Sequence, residues 1–229
     1  MSRPCHAHDT PMSPRRYRSD RRQAARAETR RRIVASTVSL HAEHGALGTT
    51  YAMIAERADV SIPTVYNHFP TVGDLLAACT DQAAAHAPAL GPEIFAGRDD
   101  LDGRLRALVA ALFAQYAYFA PWLRWTLYEA TQVPELAQWL AQADERRRQL
   151  IVAALEPAFG ATPPPALLAL CQLLTGFPAW QQLAGEASPV RTQAPDLLVA
   201  TLAQLARHHG PGSAPTPSGP SARPQKGTR

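Results

Sequence analysis

One short segment, residues 61–69, concentrates polar side chains of the kinds that bind nucleic acids. Thr64, Tyr66, Asn67 and His68 offer hydroxyl, amide and imidazole groups within five positions. Such groups hydrogen-bond phosphate oxygens, and an asparagine amide can pair with adenine through two hydrogen bonds. They can act together only if neighbouring elements hold the segment in one conformation.

Local signals predict two short helices joined by a tight turn around these residues. Thr49 is placed to cap a helix that begins at Thr50, and Ser61 is placed to cap the next one. Pro63 falls in the first turn of that second helix, where its missing N–H costs nothing. Asp59 and Val60 interrupt the helical pattern between the two.

The upstream chain predicts a third helix that clamps this pair. Apolar residues recur at helical spacing from Thr29 to Glu43, and Gly45 is a plausible C-terminal cap. Val65 and Phe69, four residues apart, are expected to face inward against Ile54 and Val60. Three helices with a short turn between the last two form a helix-turn-helix domain.

Residues 27–75 resemble the DNA-binding domain of the tetracycline-repressor (TetR) family of bacterial transcription regulators. The motifs that carry the resemblance are Gly45-x-x-x-Thr49-Thr50, Ile54-Ala55, Ala58-x-Val60-Ser61, Pro63-Thr64-Val65-Tyr66, His68-Phe69 and Leu75. The recognition helix would be residues 62–68. By the family pattern, the residues at its start meet base edges, whereas Tyr66, His68 and Thr50 hold phosphates.

The predicted DNA contacts comprise residues of this helix-turn-helix pattern and one arginine upstream of it. Its members are Thr50, Tyr51, Ser61, Ile62, Pro63, Thr64, Tyr66, Asn67, His68 and Arg30. Tyr66 could instead be a half-buried packing residue, and His68 a structural histidine. Two positions depart from the family: Asp59 replaces the usual turn glycine, and Val72 stands where a phosphate-binding lysine is common.

Arginine is concentrated at the N-terminal end of the chain. Residues 1–32 carry ten arginines against three acidic residues, although the whole chain has a net charge of only +4. An arginine-rich arm suits phosphate neutralisation or a narrow minor groove, while a solvated leader is the alternative. A second run, Arg146-Arg147-Arg148, is expected to be a solvated helix face.

The remaining composition predicts a reduced, cytoplasmic, all-α protein. No apolar run approaches the ~20 residues that span a bilayer, and Cys5, Cys79 and Cys171 have no paired or metal-like spacing. His41-x-x-His44 lacks an acidic partner, so no metal site, cofactor or catalytic group is predicted. We therefore expect no enzyme activity.

The chain beyond residue 75 is predicted to form consecutive helices separated by proline or glycine. The expected fold is all-α with about nine helices: a basic disordered arm (1–23), a helix-turn-helix head (24–75), a helical ligand-binding and dimerisation domain (76–209) and a disordered tail (210–229). Within the second domain, Pro121 is expected to begin a short helix, and Pro163-Pro164-Pro165 another that extends to about Gly185.

Aromatic residues in the middle helices are candidates for a ligand pocket, with ordinary core packing as the alternative. They are Tyr116, Phe119, Trp122, Trp125, Tyr128 and Phe177. The resemblance also implies that two late helices pair with their symmetry mates, and leucine-rich faces in 166–177 and 197–205 fit that role.

Together these features predict a ligand-responsive, DNA-binding transcriptional regulator. The family's usual mode implies a repressor that binds a palindromic operator as a homodimer and is released by a small, largely apolar effector. The alternative is a helical scaffold or ligand-binding protein that has lost sequence-specific DNA binding.

Overall fold

The computed structural model describes residues 14–160 and 162–210, and all regular structure in these ranges is helical. The elements in chain order are α1 (Pro14–His44), α2 (Tyr51–Arg57), α3 (Ile62–His68), α4 (Val72–Ala84), a 3-10 turn (Pro92–Phe95), α5 (Leu101–Glu129), α6 (Pro134–Phe159), α7 (Pro165–Leu174), α8 (Phe177–Ala184) and α9 (Ala194–His208). The prediction of an all-α chain with about nine helices is confirmed for the described residues.

The chain groups into two compact units. The N-terminal unit contains the residues up to Ala87 together with Pro121–Gln138, and the C-terminal unit contains Pro88–Ala120 and the residues from Trp139 onward. Helices α5 and α6 therefore each contribute residues to both units. The functional boundaries at 75/76 and 209/210 remain predictions, and most of the arm and tail lies outside the described residues.

The N-terminal unit is held by a core that draws on α1, α2, α3 and α4. Its largest fully buried side chains come from successive helices, because each helix places apolar residues on one face. The buried set is Ile33, Val34, Leu40, Ile54, Ala55, Ala58, Val65, Phe69, Leu75 and Cys79. Val65 and Phe69 face inward as predicted, with no exposed surface.

Hydroxyl side chains cap the N-terminal ends of α2, α3 and α4. Thr50, rather than Thr49, caps α2 by accepting a hydrogen bond from the Met53 N–H. The Thr49 hydroxyl instead donates to the Gly45 carbonyl at 2.7 Å. Thr71 caps α4 by accepting from the Asp74 N–H.

Three helix boundaries differ from the sequence-based expectation. α1 already begins at Pro14, inside the range 1–23 assigned to the arm. Pro121 lies within α5 rather than at a helix start, because buried residues on both sides of it hold the helix despite the lost backbone bond. The helix expected over 165–185 is divided at Thr175 and Gly176.

The C-terminal unit has the larger apolar core. α7 packs against both α8 and α9. The buried residues are Phe95, Leu105, Leu108, Val109, Leu112, Leu150, Ile151, Ala154, Leu155, Leu167, Cys171, Leu198, Val199, Leu202, Ala203 and Ala206. Within the described ranges, every helix is too short or too polar to cross a membrane.

Candidate nucleic-acid interface

The turn between α2 and α3 takes its shape from one aspartate. Asp59 has φ +52°, and it is the one non-glycine residue with positive φ in the described chain. Aspartate tolerates this left-handed conformation better than most residues, so it can replace the glycine of the family pattern. The Arg32 guanidinium donates to the Asp59 carbonyl at 3.3 Å, which ties the turn to α1.

The start of α3 is fixed by two hydroxyl groups. Ser61 Oγ accepts a hydrogen bond from the Thr64 N–H at 3.3 Å and lies 2.8 Å from Thr64 Oγ1. This is the predicted cap, and Pro63 occupies the first turn as expected. Because the two hydroxyls bond to each other, the surface that Thr64 offers to a partner includes its methyl group.

The outward face of α3 carries exposed side chains that the core does not use. Ile62 is 43% exposed and Tyr66 is 53% exposed, and Pro63 and Asn67 are also exposed. Large apolar surface on a two-turn helix is costly to leave in water unless it contacts a partner. The structure thus places the predicted contacts of α3 together on one surface.

Tyr51 supports this surface from behind. Its ring lies 4.5 Å from the ring of Tyr66, and its hydroxyl donates to the Phe69 carbonyl at 3.2 Å. Burial raises the pKa of Tyr51 above its usual value. Tyr66 therefore packs on Tyr51 with part of its ring and leaves the rest exposed, and its contact with DNA stays a prediction.

His68 ends α3 next to two arginines of α1. Partial burial, and then the charges of Arg26 and Arg30, lower the pKa of His68 below its ordinary value. The Arg30 guanidinium lies 4.8 Å from the centre of the Phe69 ring. The histidine is consequently neutral at pH 7, able to donate or accept a hydrogen bond.

Four exposed arginines of α1, spaced four residues apart, form a row on that side of the helix. We call Arg18, Arg22, Arg26 and Arg30 the arginine stripe. Arg26 and Arg30 lie two helical turns before Ile33 and Thr37, both of which are buried with no exposed surface. At 3.6 residues per turn, the stripe continues the face of α1 that packs on the helix-turn-helix.

The acidic residues of the same segment lie elsewhere on α1. Asp20 and Glu28 are each two residues from members of the stripe, which puts them on roughly the opposite side of the helix. Glu28 pairs there with Arg31. The stripe therefore presents positive charge with no carboxylate of its own segment between its members.

Glu129 of α5 holds the loop that leads from α1 into α2. This carboxylate is only 4% exposed and accepts a hydrogen bond from the Leu47 N–H at 2.9 Å. Gly45 has φ +76°, and a Cβ there would collide with Glu129 Oε1. Gly45 is thus required both by its backbone conformation and by the space that Glu129 occupies.

Three further donors of α5 satisfy carbonyls near the end of α1. Trp122 Nε1 donates to the Val38 carbonyl at 2.9 Å, and Trp125 Nε1 donates to the Ala42 carbonyl at 3.2 Å. Arg124 also donates to the Ala42 carbonyl, at 2.6 Å. Ala42 is one of the last four residues of α1, whose carbonyls lack helical partners, whereas the Val38 carbonyl lies within the helix and gains an additional donor.

The six predicted ligand-contacting residues are divided between the two units. Trp122, Trp125 and Tyr128 belong to the N-terminal unit, where the two indoles serve α1 and Tyr128 is 70% exposed. Tyr116, Phe119 and Phe177 belong to the C-terminal unit. A ligand role for any of the six stays a prediction.

Within the C-terminal unit, Tyr116 is the centre of a polar and aromatic cluster. Its hydroxyl donates to the Thr175 carbonyl at 2.8 Å and accepts from Arg147 Nη1 at 3.2 Å. The expectation of a solvated 146–148 face is wrong for Arg147, whose side chain is only 15% exposed. Helical geometry turns one of three consecutive arginines inward, and the sequence carries no signal for which one.

No cluster of three or more metal-ligating side chains occurs among the described residues. At the His41-x-x-His44 pair, burial lowers the pKa of His41 to about 4, opposed in part by Glu129. His44 lies on the surface beside Glu43, at 3.5 Å. The two histidines therefore occupy different environments.

Comparison with known proteins agrees with this geometry. Residues 33–79 match the model of the bacterial regulatory proteins of the tetR family. A TetR-family transcriptional regulator from Streptomyces coelicolor is 21% identical, covering 78% of this chain and 80% of its own, with a TM-score of 0.56. A TetR transcription regulator from Haloarcula marismortui is 17% identical, covering 81% of this chain and 100% of its own, with a TM-score of 0.57.

A third similar structure is the multidrug-binding protein EbrR in complex with imidazole. It is 21% identical, covering 93% of this chain and 100% of its own, with a TM-score of 0.51. At these identities the structural similarities establish the fold. No curated protein sequence matches the chain.

The capped helix pair and the fold define a helix-turn-helix, DNA-binding transcriptional regulator. More specifically, residues 33–79 match the tetR family of bacterial regulatory proteins, and the fold is similar to that of TetR-family regulators.

Proposed function

We propose that the protein is a repressor that binds a palindromic operator as a homodimer and is released by a small effector. The observation that carries the proposal is the outward face of α3. Ile62 and Tyr66 are exposed there on a helix of seven residues whose start is capped by Ser61. Ile62, Pro63 and Thr64 meet base edges, and the thymine methyl group is a suitable partner for them.

The phosphate contacts surround this base-reading surface. Tyr66, Asn67 and His68 lie towards the C-terminal end of α3, while Thr50 and Tyr51 lie at the start of α2. The Thr50 hydroxyl oxygen already accepts a hydrogen bond from the Met53 N–H. Its own O–H remains as a donor, and in this proposal it donates to a phosphate oxygen. Tyr51 acts chiefly through Tyr66, and Ser61 acts by fixing the first turn of α3.

The arginine stripe extends the same surface along α1. Its members rise about 6 Å apart along the helix, starting beside His68 and Phe69 and moving away from α3. We propose that Arg30 and Arg26 hold phosphates next to the half-site and that Arg22 and Arg18 hold phosphates flanking it. Val72 replaces the usual lysine, and the stripe supplies the missing positive charge.

Exposed leucines support the homodimer. Leu170 and Leu173 of α7 are 38% and 70% exposed, and Leu197 of α9 is 49% exposed. Because α7 and α9 pack on each other, these residues can form one apolar face for a second copy of the chain. A two-fold dimer places two recognition helices about one DNA turn apart, roughly 34–36 Å.

Selection of bound sequences from random duplex DNA, at two salt concentrations, tests the DNA-binding proposal. We expect a two-fold palindrome with half-sites about one turn apart. The double variant Tyr66→Ala and His68→Ala should lose the motif while keeping its helical circular dichroism. The matched control, Tyr128→Ala with His86→Ala, removes exposed residues of the same types outside α2 and α3 and should retain it.

The salt dependence of operator binding tests the stripe. Each lost phosphate contact reduces the slope of log K against log salt by about 0.9. The double variant Arg18→Gln and Arg22→Gln should therefore reduce the slope of a dimer by roughly 3 to 4 without changing the selected motif. The control Arg146→Gln with Arg191→Gln makes the same change in net charge and should leave the slope nearly unchanged.

Light scattering tests the dimer. Leu173→Glu should convert the protein to a monomer and weaken operator binding, because a buried unpaired carboxylate is unfavourable. Leu127→Glu, at an exposed leucine of α5, is the control and should remain dimeric. A wild-type monomer that still selects a palindrome would contradict the assembly.

The alternative is a helical ligand-binding protein without sequence-specific DNA binding. It predicts salt-sensitive binding with no selected motif, since the stripe alone would then hold DNA. That result would end the repressor proposal while leaving the fold unchanged.

A further inference from the structure

A largely buried arginine in α6, Arg147, has a buried Nε without a hydrogen-bond partner. The Arg147 side chain is 15% exposed, whereas its neighbour Arg148 is 41% exposed and pairs with Glu145. A guanidinium removed from water is stable only when its N–H groups have acceptors.

The acceptors around the Arg147 guanidinium contact a single nitrogen, Nη1. Nη1 forms an ion pair with Asp144 Oδ1 at 3.1 Å and donates to the Tyr116 hydroxyl at 3.2 Å. Nε is buried without a hydrogen-bond partner, and it is the one buried side-chain nitrogen or oxygen of the described residues in that state. The Nε–H belongs to the edge shared with Nη2, the kind of edge that binds a carboxylate through two parallel hydrogen bonds.

Aromatic rings surround the tyrosine to which Arg147 is bonded. The Tyr116 ring lies 5.7 Å from that of Phe177 and 6.0 Å from that of Trp180. Phe177 and Trp180 stack at 5.5 Å with an angle of 23° between their planes. Planar apolar surfaces and a cation that contact the same tyrosine match a ligand that has an aromatic ring and an acidic group.

We propose that this cluster binds an aromatic carboxylate, with the ring against Phe177 and Trp180 and the carboxylate on the Nε edge of Arg147. The inference rests on the proposed small-molecule response and narrows it, since the sequence alone predicted a largely apolar effector. Asp144 contacts Nη1, on the other edge, and therefore keeps its ion pair with Arg147 when the ligand binds.

The Tyr116 hydroxyl positions the guanidinium for this role. Burial raises the pKa of Tyr116, opposed by Arg147, so the hydroxyl stays protonated and donates to the Thr175 carbonyl. Its lone pair then accepts from Nη1 and orients the guanidinium plane. Because Nε is closed to solvent, a ligand must displace a neighbouring side chain, and binding is accompanied by a local change in packing.

Calorimetry and thermal shift on the full-length protein test the proposal with defined probes. The probes are benzoate and phenylacetate, each compared with its neutral amide, benzamide or phenylacetamide. We expect each carboxylate to bind about tenfold or more tightly than its amide, because charge-assisted hydrogen bonds are the stronger ones. Arg147→Gln should abolish that preference, and the control Arg148→Gln should retain it.

Several results would overturn the assignment. These are equal binding of amides and carboxylates, absence of binding by both carboxylates, or an unchanged preference in Arg147→Gln; the last would make Arg147 a structural link between α6 and Tyr116. If Arg147→Gln does not fold, Arg147→Lys keeps the charge without the planar fork and should still reduce the preference.

The outcome is separable from that of the proposed function. A selected palindrome together with no carboxylate binding would overturn this inference alone. Carboxylate binding without release of the operator would support the site and overturn the ligand-released repressor.

Discussion

The helices of the two units begin in different ways. In the N-terminal unit α2, α3 and α4 each start at Thr50, Ser61 or Thr71, whose side chain accepts a backbone N–H. In the C-terminal unit α7, α8 and α9 start without any side-chain cap bond. The starts of α2, α3 and α4 are thus fixed by individual side chains, whereas the starts of α7, α8 and α9 depend on packing.

Caps matter most in the two shortest α-helices of the described chain. α2 and α3 have seven residues each, which is too short for a helix to persist on its own. α9 has fifteen residues, six of them buried, so packing alone determines where it forms. We therefore expect point changes at caps and tight turns to affect the N-terminal unit more strongly.

The largest expected effect is the acid sensitivity of the N-terminal unit. Burial lowers the pKa of His41 from 6.5 to about 4, so the unfolded chain binds its proton first. The contribution of neutral His41 to the free energy of unfolding is fully present above pH 6.5. It is lost as the pH falls towards 4, which lowers the free energy of unfolding by roughly 2–3 kcal/mol. Urea denaturation across this range should show the loss.

Two histidine variants test the origin of that loss. His41→Gln should flatten the pH dependence of the free energy of unfolding between pH 6.5 and pH 4. His208→Gln, at an exposed histidine of α9, should leave it as in the wild type. A similar flattening in both variants would mean that the acid sensitivity is not specific to the N-terminal unit.

An intermediate effect is expected at glycines with positive φ. Gly45→Ala should destabilise the protein by about 2 kcal/mol or more, because it adds a collision with Glu129 to the backbone strain. Gly97→Ala, at φ +70° with no atom within 4 Å of the added Cβ, should cost about 1 kcal/mol. Thermal denaturation of both variants gives the comparison.

Equal losses of stability in Gly45→Ala and Gly97→Ala would contradict the proposed collision of the added Cβ with Glu129. The double variant Gly45→Ala with Glu129→Ala adds a further check. It should cost less than the sum of its single changes, since the collision disappears with the carboxylate.

The smallest effect tests the caps themselves. Ser61→Ala should cost about 1 kcal/mol, and operator affinity should fall with it because α3 begins there. Gln193→Ala, at the uncapped start of α9, should change stability by less than about 0.5 kcal/mol. Denaturant midpoints measure both, and a larger loss from Gln193→Ala would reverse the comparison between the units.

The local features of the helix-turn-helix were predictable from sequence because they depend on neighbouring residues. The Ser61 cap, the position of Pro63 and the inward Val65 and Phe69 all follow from spacing along the chain. The choice between Thr49 and Thr50 as the α2 cap was not predictable. The two threonines are adjacent in sequence. Because the Thr49 hydroxyl donates to the Gly45 carbonyl, Thr50 is the residue that caps α2.

Features that depend on distant residues were missed for a different reason. Pro121 is a helix-start signal locally, yet α5 continues through it because residues on either side are packed. The roles of Trp122 and Trp125 at the carbonyls of α1 involve partners more than 80 residues away. No periodicity within α5 could reveal them.

The sequence by itself determined the helical class, the turn chemistry and the residues offered by α3, since capping and amphipathic spacing act over three or four positions. Tertiary structure alone decided that Glu129 fills the space beside Gly45 and that Arg147, among three consecutive arginines, is the buried one. Both outcomes follow from desolvation, because the environment of a charged group is set by chain segments far away in sequence.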